Sequence, residues 1–267
     1  MIKTALTIAG SDSSSGAGLQ ADLLVFRDFG VYGMCAVTNV TAQNSQGVHK
    51  VNKVPPRIIT AQIDALTRDF KVGACKIGML FSPEIVSVVA ERITRREIAN
   101  IVLDPVMKAK NGEVLLTMPA MKRMKRWLIP KVMLITPNTE EAEILTGIAV
   151  KDINGAREAA KALVDMGAQY ALIKGGHMDG DPVDVLYNGQ DFIEFLDTRF
   201  DKNMHGTGCV LSAAIAARLA LGDDMNAAVG AAKDYVSNAI QHSVKLGKGN
   251  MDYFFGAIEK QGDQGVK

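Results

Sequence analysis

The run NMHGTGCVLSAAIAARLALG, residues 203–222, sets a cysteine where a glycine-rich turn enters an apolar helix. Gly206 and Gly208 permit backbone angles that other residues resist, and Val210 to Leu221 is alanine-rich and broken only by Ser212 and Arg218. Such a turn aims N–H groups without intrahelical acceptors at whatever lies in front of the helix. With the positive end of the macrodipole, those groups favour an anion there. Cys209 stands in that field, which predicts a lowered thiol pKa and a role as nucleophile, base or neighbour of an anion. A small buried residue opening a core helix is the competing reading.

Other residues carry chemistry of a matching kind. Asp104, followed by Pro105 at a strand end, offers hard oxygen to Mg2+ or its water. Asn138 and Glu141, spaced N-x-x-E at another strand-to-helix turn, are placed to position the same ion, with Asn138 as a plain N-cap in competition. Lys174, before Gly175 and Gly176, suits nucleotide phosphates as a mobile point charge. GSDSSSGAG (10–18) can wrap a ligand closely or serve as a flexible connection, and Asp22 on the following helix faces either the same cleft or solvent. His177 and His205 follow no metal-ligand spacing, and the basic run MKRMKRWLIPK (121–131) reads as a solvated helix face. No GxxxxGK[ST] occurs, and GTGCVL has Leu211 where a dinucleotide fingerprint needs its third glycine. Both absences weaken P-loop and Rossmann readings.

These residues must be held by a scaffold, and the hydrophobic pattern names one. Short β-branched runs at 5–12, 35–44, 75–80, 100–106, 132–138 and 170–176 read as buried strands. Helical patterns lie between them at 19–29, 57–70, 82–96, 118–128, 138–147 and 153–167, with Ser82 as N-cap before Pro83 and Glu84. Two more helices cover 210–221 and 225–244, and VDVLYNGQDFIEFLD (183–197) reads as a hairpin turning on the positive backbone angles of Asn188-Gly189. Alternation of this kind predicts an α/β fold with a mainly parallel sheet covered on both faces. Ligands then bind beyond the carboxyl ends of the strands, where Ser11, Asp12, Gln43, Asn44, Asp104, Asn138 and Lys174 gather.

Composition sets the outer limits. With 267 residues, 48% apolar and 22% charged, the chain suits one large α/β domain over 1–267, and disordered or fibrous classes are excluded. A net charge of +1 shows no global bias toward nucleic acid or an acidic membrane. Cys35, Cys75 and Cys209 lack CxxC spacing, which fits a reducing cytoplasm without structural zinc. MIKTALTIAG is too short an apolar run for a signal peptide or membrane span, and the tail at about 260–267 is expected to fray.

Taken in order, GSDSSSGAG-x-QADL, TAQN, KIGML, DPVM, TPN-x-x-E, KGGH and HGTGC closely resemble the bacterial hydroxymethylpyrimidine/phosphomethylpyrimidine kinases of thiamine biosynthesis, within the ribokinase-like superfamily. The resemblance covers almost the whole chain; GNMDYFFGAIEK departs from the GPVHHF-type ending, and Thr41 from an apolar residue of that pattern. It implies a cytoplasmic three-layer α/β/α enzyme, commonly a homodimer. Such an enzyme phosphorylates 4-amino-5-hydroxymethyl-2-methylpyrimidine from MgATP and then phosphorylates the monophosphate.

By the same resemblance, Asp22 and Gln43 hydrogen-bond the aminopyrimidine, and Gly10, Ala17, Met79 and Val106 line its pocket. Asp104, Asn138 and Glu141 manage Mg2+ and its waters, and Lys174, Thr207 and Lys233 meet nucleotide or phosphates. Cys209 takes the place of the aspartate that serves as base in many sugar kinases of the superfamily, while the N–H groups of Gly206 to Cys209 hold the transferred phosphoryl. A pyridoxal or pyridoxine kinase of the same framework is the alternative. Such enzymes carry a second cysteine near the position of Ala109, and that residue with Gln43 favours the pyrimidine. A non-catalytic nucleotide or vitamin binder is a further alternative, disfavoured because a binder needs no metal site, base and anion turn together.

Overall fold

β-Branched and small apolar residues build a nine-stranded sheet in the computed structural model, which describes residues 2–109, 111–176, 182–196, 198–254 and 256. His177 and the tail at 260–267 lie outside the described residues. The strands are β1 (Thr4–Asp12), β2 (Tyr32–Asn44), β3 (Gly47–Lys53), β4 (Ala74–Ile77), β5 (Ile101–Leu103), β6 (Leu134–Ile135), β7 (Tyr170–Ile173), β8 (Val183–Tyr187) and β9 (Phe192–Leu196). Their order is β3-β2-β1-β4-β5-β6-β7-β8-β9. The pairings from β2 through β7 are parallel, and β2–β3, β7–β8 and β8–β9 are antiparallel.

Both faces of the sheet are buried, which explains the near-continuous apolar runs. Along β5, Ile101 and Leu103 enter one core and Val102 the other; along β7, Ala171 and Ile173 oppose Leu172 in the same way. On one side lie α1 (Gly18–Asp28), α7 (Thr207–Leu221) and α8 (Met225–His242), with Phe26, Ile215 and Val229 at their contact. On the other lie α2 (Pro56–Asp69), α3 (Pro83–Arg95), α4 (Met118–Trp127), α5 (Thr139–Thr146) and α6 (Ile153–Asp165), contributing Ile63, Val86, Met124, Leu145 and Leu163. The result is a three-layer α/β/α sandwich.

Sequence reading misses one strand, and two local expectations need correction. Strand β3 escaped the hydrophobic pattern because GVHKVNK is a largely exposed edge strand held by its antiparallel pairing to β2. Ser82 does sit at the N-cap of α3, but its hydroxyl caps no helix N–H. It hydrogen-bonds Glu84 instead, which holds that carboxyl below its usual range. At the β8–β9 turn only Gly189 has a positive φ, 94°, while the Asn188 side chain accepts the N–H groups of Gln190 and Asp191 at 2.8 and 2.6 Å.

The middle of the sheet holds a charge. Every residue of β4 is buried, including Lys76 at 0% exposure. Its Nζ lies 2.8 and 2.9 Å from the two oxygens of Asp22 on α1, and Thr7 on β1 donates to Asp22 Oδ2 at 2.6 Å. Chain connections leave β1 toward β2 and β4 toward β5, in opposite directions, so the pair marks the switch point where open α/β sheets form a crevice.

Removing one member of such a pair strands its partner's charge. Lys76→Met is expected to lower stability by about 3–5 kcal/mol, and the double variant Lys76→Met/Asp22→Asn by less than the sum of the single losses. Urea unfolding of the four proteins measures this, and strict additivity would refute the coupling.

Candidate active site

A cleft of about 1000 Å³ opens beyond the carboxyl ends of β1, β4 and β5, facing the N-terminus of α7. Gly206 caps that helix with φ 76°, and a side chain there would run into the Gly16 carbonyl, so only glycine permits this approach of the two loops. The first intrahelical bond runs from Val210 N–H to the Gly206 carbonyl at 2.9 Å, leaving the amides of Thr207, Gly208 and Cys209 without helix acceptors at the cleft. The Thr207 hydroxyl donates to the Met204 carbonyl at 3.0 Å and fixes the turn.

Cys209 lines this cleft half-buried. The expected lowering of its pKa is overturned: burial pushes the thiol up to about 11. The nearby Lys76 ammonium and the Gly18 N–H favour the thiolate, while Asp104 and Asp22 oppose it. Proximity to a helix N-terminus does not outweigh desolvation beside two carboxylates.

Asp22 is the second correction. Its carboxylate has 0% exposure and does not line the cleft, because Lys76 and Thr7 occupy it. Lys76, itself 0% exposed, lies directly behind the cleft wall in its place. Burial pushes this lysine down, but Asp22, Cys209 and Asp104 around it more than reverse that, so the ammonium keeps its proton. Sequence reading passed over Lys76, although a single lysine inside the run CKIGML was a usable signal.

The other charged residues converge as expected, each with a partner. Lys174 Nζ lies 3.2 Å from Asp104 Oδ1, and both abut Gly208. Burial would lower Lys174, but Asp104 and Glu141 raise it overall. Asn138 and Glu141 form a reciprocal capping box at the start of α5: Glu141 N–H donates to Asn138 Oδ1 at 2.8 Å, and Asn138 N–H to Glu141 Oε2 at 2.9 Å. The N-cap reading of Asn138 is thus correct, and both residues still line the cleft. Burial raises the Glu141 carboxyl, with Asp104 adding to the rise and Lys174 opposing it. Lys233 Nζ bonds Asp184 Oδ2 at 2.7 Å, and Asp184 Oδ1 accepts the Gly175 N–H at 2.8 Å. Asp184 had no signal in its sequence context.

Gly10, Ala17, Gln43, Met79 and Val106 line one end of the cleft. There Asp12 gathers the glycine- and serine-rich loop by accepting from Ser14 N–H and Oγ, both at 2.8 Å, and from Ala17 N–H at 2.9 Å. His205 joins it, with Nε2 3.1 Å from Asp12 Oδ2 and 2.9 Å from Gln43 Nε2, its ring edge-on to Tyr253 at 5.7 Å. Sequence spacing excluded His205 as a metal ligand and assigned it nothing further. Among the described residues no three His, Cys, Asp or Glu side chains converge to cage a metal.

The sequence-family profile described as phosphomethylpyrimidine kinase matches residues 12–253. A hydroxymethylpyrimidine/phosphomethylpyrimidine kinase of Haemophilus influenzae is 43% identical over 258 residues, covering 93% of this chain and 95% of that one. The crystal structure of a phosphomethylpyrimidine kinase from Clostridium difficile superposes with a TM-score of 0.81 at 40% identity, covering 90% of this chain and 100% of that one. An ADP complex of Bacillus subtilis pyridoxal kinase superposes at 0.88 with 36% identity, covering 95% and 98%.

A thiol with a pKa near 11 reacts slowly and gains with pH. In a Cys35→Ser variant, alkylation of Cys209 by iodoacetamide is expected to accelerate about tenfold per pH unit through pH 9.5. Peptide mapping by mass gives the rate, and a plateau below pH 9 contradicts the assigned shift.

Proposed function

This chain belongs to the phosphomethylpyrimidine kinase family, and we propose that its cleft performs two successive phosphoryl transfers from MgATP. The first converts 4-amino-5-hydroxymethyl-2-methylpyrimidine to its monophosphate, and the second converts the monophosphate to the diphosphate. The protein is a kinase of the thiamine pathway with a ribokinase-like fold. The observation that carries the reading is one cleft joining a Gln43 amide, a nucleophile-side thiol at Cys209 and the amides of an α7 N-terminus.

In this reading the pyrimidine lies against Gly10, Ala17, Met79 and Val106, with Gln43 at its polar edge and its hydroxymethyl group toward Cys209. The amides of Gly206 to Cys209 hold the transferring phosphoryl, where preorganised dipoles act on charge as it develops. Lys174, Thr207, Lys233, Asp104 and Asn138 face the nucleotide. Asp104, Asn138 and Glu141 would hold a hydrated Mg2+, since two buried carboxylates and an amide oxygen near one ammonium are the hard donors such an ion takes. That ion would neutralise charge on the phosphate oxygens. Cys209 takes the proton of the attacking hydroxyl. With a pKa near 11 it is thiolate in about one molecule in a thousand at pH 8. A loose phosphoryl transition state needs little proton removal before the leaving bond is broken, so a scarce base suffices.

A pyridoxal kinase is the second reading, favoured by the structural likeness to that enzyme of B. subtilis. Of the three cysteines, all within the described residues, only Cys209 lines the cleft, which leaves no second thiol for an aldehyde. No helix of the described residues is long and apolar enough to cross a membrane. We further propose a cytoplasmic homodimer, which sedimentation of the purified protein tests.

ADP release with MgATP, measured separately for the pyrimidine alcohol, its monophosphate, pyridoxal and pyridoxine, tests the function. Turnover of both pyrimidines at much higher kcat/KM supports it, whereas preference for pyridoxal with an inert monophosphate makes this a vitamin B6 kinase. Cys209→Ala should lower kcat by about 10²–10⁴-fold with little change in KM. Because the thiolate is the active form and the thiol pKa lies above neutrality, wild-type kcat should rise from pH 7 to 9 and the variant's should not. Cys209→Ala and Cys209→Ser with wild-type turnover would remove the base assignment.

A further inference from the structure

Gln43 sits between two neighbours that disagree with one orientation of its amide. With the amide nitrogen toward His205, the two Nε2 atoms are 2.9 Å apart, while the same His205 nitrogen is 3.1 Å from Asp12 Oδ2. Asp12 already accepts from Ser14 N–H, Ser14 Oγ and Ala17 N–H. Burial raises its carboxyl, but hydrogen bonds from His205 and Ser14 outweigh this and hold it below the usual range. An ionised acceptor requires a proton on His205 Nε2, and that proton would then point at an amide NH2 group.

The opposite end of the amide has the mirror problem. Thr41 Oγ1 is 3.0 Å from the Ser11 carbonyl and 3.3 Å from Gln43 Oε1. A hydroxyl has one proton and a carbonyl has none, so that proton belongs to Ser11 and the Thr41 lone pairs face an oxygen. Turning the amide by a half-rotation removes both conflicts, and its oxygen and nitrogen have nearly the same shape. Oε1 then shares the His205 Nε2–H with Asp12 Oδ2 in a three-centre hydrogen bond, and Nε2 donates to Thr41 Oγ1.

We infer that His205 and Thr41 are a positioning pair that pins the Gln43 amide in this orientation and so fixes which end offers the acceptor to a ring substrate. The His205 ring is held in turn by Asp12 and by the edge of Tyr253, and its backbone N–H donates to the Asp252 carbonyl at 2.8 Å. One oxygen lone pair and one N–H remain side by side on the free edge of the amide. That order fits a ring with an amino group beside an unprotonated nitrogen and rejects one with a carbonyl beside an N–H. The inference rests on the reading of Gln43 as the contact to the aminopyrimidine.

The test measures kcat and KM with MgATP for the 4-amino pyrimidine alcohol and its 4-oxo counterpart, in wild type, His205→Leu, His205→Gln and Thr41→Val. Wild type should prefer the amino ring. His205→Leu should raise its KM and shrink the preference on the order of tenfold or more, with the KM for ATP unchanged. His205→Gln, which returns an N–H near the lost Nε2, should restore most of the preference, and Thr41→Val should weaken it. Should His205→Leu fail to fold, Thr41→Val decides alone. A wild-type preference kept by the folded variants overturns the pinning while leaving the function intact. A wild type inert toward both pyrimidines overturns the functional reading and the inference with it.

Discussion

The buried pair of Lys76 and Asp22 conditions everything around the cleft. Each ion carries a desolvation penalty of several kcal/mol, offset only because the ammonium meets both carboxylate oxygens and Thr7 supplies a further hydrogen bond. The pair ties β1, α1 and β4 together at the point where the sheet's connections diverge. It also puts a fixed positive charge behind Cys209. Buried ion pairs often contribute little net stability to a fold, and the field of this one reaches the thiol in the cleft.

The same device recurs at Lys174 with Asp104 and at Lys233 with Asp184. Three ammonium groups near the cleft are thereby held in place while most of their charge is cancelled. The amides at the start of α7 line the cleft without helix acceptors, and their orientation is fixed by the backbone and needs no side chain to reorganise. A lysine already desolvated beside a carboxylate meets a phosphate without a second desolvation cost.

Much of this was legible in the sequence. Strand and helix periods placed six parallel strands and eight helices, because a sheet buried on both faces leaves uninterrupted apolar runs and amphipathic helices lie between them. Polar tails of strands pointed to the cleft, and Gln43, Asp104, Glu141, Lys174 and Cys209 meet there. What failed were properties that depend on distance across the fold. Asp22 sits on a helix that faces the sheet, so its direction is decided by Lys76, 54 positions away. The Cys209 thiol shows the same limit: the helix start is local and visible, whereas the desolvation and carboxylates that outweigh it are not.

The two loops at the Gln43 end of the cleft are, physically, one unit. A side chain at Gly16 would strike His205 and Tyr253, and one at Gly206 would strike the Gly16 carbonyl, so the loop after β1 and the turn before α7 pack with no space between them. Met204 and His205 are in turn bridged to Asp252, in the segment where the chain departs from the family's ending. Closely packed interiors transmit displacement instead of absorbing it. The Gln43 end of the cleft and the turn before α7 are therefore mechanically coupled. Their shared rigidity fixes the spacing between Gln43 and Cys209, and under the proposed function that spacing decides whether a bound ring presents its hydroxymethyl group to the thiol.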